Sequence, residues 1–247
     1  MMPQEIIGHL RLGQVLMSGN PKVELVNRFF SGTGPTYDSV VNLCTFGFDR
    51  SWKKKILAKI PGGSVRILDQ ACGTGILTFQ IAHQFPRSRV IGVELRDEYL
   101  NIAIEKARGL KISNVEFILG RAEDVLIEES LDCITSSYLA KYAELGSLVR
   151  NMKKMLRRGG VLILHDFTHP PPGPFGRTWQ LYFKLLQKFG SWKYPQWRAA
   201  FYGLPALLRQ TKWVTELVDS LSENSFADIH VQSLTWGTST IVTARKA

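Results

Sequence analysis

The stretch SVRILDQACGTG, residues 64–75, running straight into ILTFQIAHQF, residues 76–85, decides the fold. A short apolar run ends in a turn of glycine and other small residues. The turn opens without a linker into a segment that is stopped by Pro86. This is a strand, a tight turn and a helix. The same rhythm continues downstream. RVIGVEL (89–95) predicts a second strand and RDEYLNIAIEKARGL (96–110) a second helix, with apolar positions three and four apart. NVEFILG (114–120), LDCITSSYL (131–139) and GGVLILHDF (159–167) predict the third, fourth and fifth strands, and LGSLVRNMKKML (145–156) a helix between the last two. Strands alternating with helices form βαβ units, so these strands belong to a parallel sheet covered on both faces.

The flanks differ from this core. Residues from about 20 to 60 predict short helices, Lys22 to Phe30 and Arg50 to Lys59, around a GTGP loop at 32–35. ADIHVQSLTWGTSTIVTARK (227–246) predicts two strands joined at a Trp-Gly turn, paired antiparallel. The expected fold is α/β: a doubly wound, mostly parallel, seven-stranded Rossmann-like sheet with a C-terminal antiparallel hairpin and an inserted helical cap. That is the class I methyltransferase arrangement. The chain divides as a helical lid (1–60), a cofactor-binding core (61–168), a cap (169–215) entered through HPPPGPFG, and a last helix and hairpin (216–247), all in one domain.

The turn carries the chemistry. Small residues at Ala71, Gly73 and Gly75 let backbone approach a ligand, and a helix N-terminus follows. Asp69 at the strand end repels a pyrophosphate but welcomes an amino group. Position 78 is Thr, where a dinucleotide fingerprint has its third glycine. An adenosyl ligand with an amino-acid tail suits this better than a dinucleotide, which points to S-adenosylmethionine (SAM). Glu94 closes the second strand, placed to accept ribose hydroxyls. Arg121, Ala122 and Glu123 follow the third strand where an adenine edge would lie, and Ser136 and Ser137 end the fourth.

With those motifs in place, the chain resembles the ubiquinone/menaquinone C-methyltransferases of the UbiE type over almost its whole length. Tyr37-Asp38, Phe46-Gly47, Arg50 and Trp52 keep the spacing of that family's N-terminal signature. Leu156, Gly159-Gly160, Leu164, Phe167 and Pro170 keep that of its second. The resemblance implies cofactor contacts at Thr74, Glu94, Arg121, Ala122 and Ser137, and a lipid-soluble quinol as acceptor. Val41, Thr45, Asp49, Arg121, Arg158, Asp166 and Thr168 depart from the family pattern.

Methylation at a quinol carbon requires loss of a hydroxyl proton as the neighbouring carbon attacks, hence a general base. Asp166, His165 and Tyr37 are the candidates. Asp166 is preferred because it is an acid standing where the family has its Glu, and successive strand residues face opposite ways, so His165 and Asp166 cannot both point into the site. Other acceptors compatible with this reading are a phospholipid amine and, more remotely, a nucleic acid. A SAM-binding protein without catalysis is the remaining alternative.

Charge bears on partners. The formal net charge is +10, and the segment 167–212 holds seven Lys or Arg, eleven aromatics and no carboxylate. Such a surface suits an anionic membrane. No recognisable nucleic-acid module is present. The three cysteines, Cys44, Cys72 and Cys133, form neither a disulfide framework nor a metal pattern. With no secretory signal and no membrane-spanning run, the expectation is a cytoplasmic protein, peripheral on the inner membrane face.

Overall fold

A computed structural model describes residues 19–128 and 130–247. The first residues of the expected lid lie outside the described residues. The chain then runs through α1 (Pro21–Phe30), α2 (Tyr37–Cys44), α3 (Phe48–Leu57), β1 (Arg66–Gln70), α4 (Ile76–Gln84), β2 (Arg89–Glu94), α5 (Asp97–Gly109) and β3 (Val115–Leu119). It continues with β4 (Leu131–Ser137), α6 (Leu145–Met155), β5 (Leu156–Phe167) and α7 (Pro174–Leu185). Last come the short α8 (Ser191–Lys193), α9 (Arg198–Gln210), α10 (Trp213–Glu223), β6 (Phe226–Leu234) and β7 (Ser239–Lys246).

Local chemistry explains the helix ends. Asn20 caps α1 by accepting the N–H groups of Lys22 (2.9 Å) and Val23 (3.4 Å), and Pro21 starts the helix where no N–H is needed. In α6, Leu145, Leu148, Val149, Met152 and Met155 recur three and four apart, and all are buried.

The seven strands form one sheet in the order β3-β2-β1-β4-β5-β7-β6. The first five are parallel, and β7 pairs antiparallel with both β5 and β6. The hairpin is therefore present, with β7 inserted between β5 and β6. Adjacent strand residues serve opposite layers: Ile67 and Ile163 pack with α3 and α4, while Leu68, Leu162 and Leu164 pack with α6 and α10. A third cluster joins Phe29 of the lid to Phe183, Leu186, Trp197 and Phe201 of the cap, with Tyr142 between them. A side chain at Gly203 would strike the Phe29 ring at 2.3 Å, so α9 and α1 meet closely there. The cap stripe Trp179, Tyr182, Phe183 and Leu186 faces this cluster, whereas Lys184 and Lys188 face solvent. Helix α10 starts at Trp213 and packs on α6, which puts the cap's C-terminal limit a few residues before 215. Its anchor is Trp213, buried, with its indole N–H donating to the Phe167 carbonyl at 2.8 Å.

Candidate active site

Three backbone positions in the β1–α4 turn are left-handed: Ala71 (φ 56°), Gly73 (φ 59°) and Gly75 (φ 87°). Gly75 is required, because a Cβ there would lie 2.4 Å from the Phe79 ring. Ala71 carries a side chain in the same conformation, at a cost of about 1 kcal/mol. The turn is tied to β2 by the Cys72 N–H on the Val93 carbonyl at 2.9 Å. Glu94 is the pivot. One carboxylate oxygen accepts the Gly73 N–H and the other the Arg96 N–H, both at 2.9 Å. Burial raises its pKa, opposed by those two N–H groups and the Arg96 charge.

Two small cavities lie beside this turn. One is lined by Ala71, Leu95, Gly120, Arg121, Ala122 and Glu123, the other by Asp69, Ala71, Gly73, Ser137, Tyr138 and Lys53. Their linings supply a slot beside the β3 end and Asp69 for an ammonium, while Glu94 lines neither cavity but binds the Gly73 N–H of one and precedes Leu95 of the other, where a ribose between them would reach it. Next to the slot, Gln70 donates to the Ala122 carbonyl at 3.0 Å, and its own buried Oε1 has no partner among the described residues. The residues present fit SAM, with the expected Ala71, Gly73, Arg121, Ala122, Glu123 and Ser137 all lining these cavities. Arg121 is held by Glu123 (3.5 Å) and Asp124 (3.4 Å). Thr74, expected as a cofactor contact, lines neither cavity. Its hydroxyl donates to Asp38 at 2.5 Å, and Lys106 reaches the same carboxylate at 2.6 Å. Together with Glu98, which accepts the N–H groups of Gly32 and Gly34, these bonds fasten the lid over the turn.

Asp69 is buried and accepts the hydroxyls of Thr78 (2.6 Å) and Thr135 (2.9 Å). Burial nevertheless pushes its carboxyl up to about 6. As pH falls through that value the carboxylate is neutralised and can no longer pair with an ammonium. SAM affinity is therefore expected to drop below about pH 6, and Asp69→Asn to weaken binding at pH 7.5 and flatten the dependence. Calorimetry across pH checks this; an unchanged slope in the variant would contradict it.

A larger chamber of about 160 Å3 lies beyond, between lid, cap and the carboxyl ends of β4 and β5. Its walls are mostly aromatic and aliphatic, including Tyr37, Trp52, Tyr138, Phe167, Trp179 and Trp197. Among the described residues, Lys141 is the one charged side chain lining it. The Lys141 ammonium donates to Asp166 at 2.5 Å, and both side chains are buried. Asp166 also accepts the N–H groups of Phe167 (2.7 Å) and Lys141 (3.1 Å).

This geometry changes the reading of the three expected bases. Asp166 does not line the chamber but stands behind Lys141. His165 has one ring nitrogen on Ser137 (2.9 Å) and the other on Ser239 (2.5 Å), and burial, with Lys53 and Lys141 nearby, drives its pKa well below 6.5. Tyr37 lines both the chamber and the cavity beside Gly73, but burial holds its phenol protonated far above neutral pH. Neither His165 nor Tyr37 is placed as a free base.

Sequence reasoning missed Lys53, Tyr138 and Lys141. Lys53 pairs with Asp49 one helical turn earlier, and Tyr138 donates to the same Asp49 at 2.6 Å. The available signal was a single cation in Leu139-Ala140-Lys141-Tyr142, an otherwise apolar run just past the carboxyl end of a parallel strand.

The model of the ubiE/COQ5 methyltransferase family matches residues 18–246. The chain belongs to this family. It is 25% identical over 231 residues to the demethylmenaquinone methyltransferase of Bacteroides fragilis, covering 91% of this chain and 94% of that one. To the ubiquinone/menaquinone biosynthesis C-methyltransferase UbiE of Salmonella paratyphi B it is 30% identical over 177 residues, covering 69% and 70%. Among solved structures, a SAM-dependent methyltransferase from Methanococcus maripaludis superposes with a TM-score of 0.63 at 12% identity, over 87% of this chain and 92% of that one. Geranyl diphosphate C-methyltransferase from Streptomyces coelicolor superposes at 0.58 and 13% identity, over 80% and 76%. The fold is that of the class I SAM-dependent methyltransferases, and this family member is a SAM-dependent enzyme. Among the described residues no helix is long and apolar enough to cross a membrane, and no cluster of His, Cys, Asp and Glu could hold a metal.

Proposed function

We propose that this enzyme methylates a ring carbon of a prenylated quinol, as the names of its Bacteroides and Salmonella relatives suggest for them. The observation that carries this reading is the chamber: aromatic walls for a planar ring and an apolar tail, next to the cavity of Gly73 and Ser137. SAM supplies the methyl group when bound. The protein's part is to align the acceptor, exclude water and receive a proton. A phospholipid amine as acceptor fits less well. Lys141 on the chamber wall would repel the cationic product, and no carboxylate lines the chamber among the described residues. Incubation with methyl-labelled SAM and lipids from cells lacking their quinone methyltransferase should label a demethylquinol. Label on phosphatidylethanolamine instead would reverse the assignment.

The acceptor's tail favours an enzyme resting on a membrane at its cytoplasmic face. Phe46 (66% exposed) and Phe48 line the chamber and also meet solvent, and Trp236 (67% exposed) touches Phe48 and Phe175 at this rim. From the rim, Tyr182 under Phe46 leads to the outer face of α7, where Leu181, Lys184 and Leu185 are exposed, and the turns after α7 add exposed Lys188, Phe189 and Trp192. Mixed lysines and aromatics with no acid suit an anionic bilayer surface, at about 1 kcal/mol per cation. Replacing Lys184, Lys188 and Lys193 with Glu should cut pelleting with anionic liposomes at least tenfold. Unchanged pelleting would remove the membrane reading.

A further inference from the structure

We propose that Lys141, backed by Asp166, receives the acceptor as its ring oxyanion, so that this site selects acceptors with an acidic ring hydroxyl beside the methylated carbon. The inference rests on the quinol reading and names the group that carries it.

Five observations converge on Lys141. It is the charged group on the chamber wall among the described residues. Its side chain is buried, 2% exposed, where an ammonium is costly without a counterion. Asp166 supplies that counterion at 2.5 Å and is itself fixed by two backbone N–H groups. Faces of Tyr142 (4.3 Å), Phe167 (5.5 Å) and Tyr138 (5.6 Å) surround the ammonium, an arrangement that favours a cation. Finally, the other titratable groups nearby are committed. His165 is bonded at both nitrogens, Tyr138 donates to Asp49, and burial keeps the phenols of Tyr37, Tyr138 and Tyr142 protonated.

The same burial lowers the pKa of Lys141, which eases proton movement along its bond to Asp166. Lys141 passes one ammonium proton to Asp166 and takes the acceptor's hydroxyl proton, leaving an oxyanion against a renewed ammonium. The adjacent ring carbon forms its bond to the methyl group as the methyl–sulfur bond breaks, and the oxyanion becomes a ketone. Loss of the ring C–H proton to solvent restores the aromatic oxyanion, which recovers its hydroxyl proton from the Lys141–Asp166 pair. One proton is released per methyl transferred. Lys141 touches the acceptor and is a catalytic residue on this account, while Asp166 acts through it and is a positioning residue.

The test uses 1-naphthol, whose anion has its own absorbance, bound to the full chain with saturating S-adenosylhomocysteine so that no turnover occurs. Titration should show bound naphthol ionising at least tenfold more readily than free naphthol. Lys141→Arg should retain the shift. Lys141→Met combined with Asp166→Asn removes both charges, so no lone buried charge remains. That variant should bind S-adenosylhomocysteine as before yet lose the shift, and its kcat should lose the parent's dependence on pH with KM little changed. A naphthol that fails to bind, that ionises within twofold of the free compound, or that keeps its shift in the double variant overturns the proposal. Labelling of a demethylquinol without a naphthol shift would sink only the role of Lys141. A shift without quinol labelling would sink the quinol acceptor and keep the oxyanion site.

Discussion

Glu94→Ala is expected to weaken binding of S-adenosylhomocysteine by about a hundredfold or more. The carboxylate is buried, and its two oxygens are aimed by the Gly73 and Arg96 N–H groups at 2.9 Å. Each oxygen keeps a lone pair for a ribose hydroxyl. A hydrogen bond to a charged group is worth about 1.5–3 kcal/mol, and 1.4 kcal/mol is about tenfold in affinity. Losing two such bonds accounts for two decades before the turn itself responds. It will respond, because alanine also leaves the Gly73 and Arg96 N–H groups without their acceptor. Glu94→Gln keeps one good acceptor and should fall between the two. Titration calorimetry reads both variants, and an alanine variant binding within threefold of the parent would contradict the assignment of this carboxylate.

Asp166→Ala should lower the melting temperature by about 10 °C. Lys141 and Asp166 are both buried, and removing one partner of such a pair strands the other charge at a cost of about 3–5 kcal/mol. For a chain of this size each kcal/mol is about 2–4 °C. Removing both charges, as in Lys141→Met with Asp166→Asn, should recover most of the loss, because the pair's attraction only offsets its desolvation. Melting temperatures of the parent, of the singles Lys141→Met and Asp166→Asn, and of their double form a double-mutant cycle whose coupling term isolates the pair. A single variant that melts within 2 °C of the parent would mean that water reaches Lys141.

Much of the architecture was legible because it rests on local patterns. Apolar runs ending at Gln70, Glu94, Leu119 and Ser137 alternate with amphipathic helices, and the parallel sheet follows from that alternation. The turn at Asp69–Gly75 declares itself by residues that tolerate left-handed backbone. Glu94 follows because a carboxylate at the end of β2 lies beside the β1 turn in any doubly wound sheet. The two strands around Trp236 were legible as a hairpin. That β7 enters between β5 and β6 was not, because strand order depends on pairing across the sheet rather than on either strand's own sequence.

The acceptor side was less legible for the same reason. The local marks are faint: an apolar run around Lys141, and Asp49 one helical turn before Lys53. Lys141 is buried because Asp166 of β5 meets it in space and the cap closes over the ends of the strands. Asp166 read as the preferred base because its sequence neighbours say nothing of Lys141, 25 residues earlier. His165 could be judged only once Ser239, arriving from the inserted strand β7, was seen to occupy its second nitrogen. The cap's aromatic stripe was visible as a stripe, but its partner, Phe29 of the lid, lies far away in sequence.

Methyl transfer to ring carbon is tested most directly by locating the new bond. The enzyme would be given SAM carrying a deuterated methyl group and a short-chain 2-prenyl-1,4-naphthoquinol bearing hydrogen at the neighbouring ring position. The product would be read by NMR and mass spectrometry. The expected product carries a deuterated methyl on that ring carbon and has lost the proton that stood there. Label on the hydroxyl oxygen, or no transfer by protein that binds SAM, would contradict ring-carbon methylation.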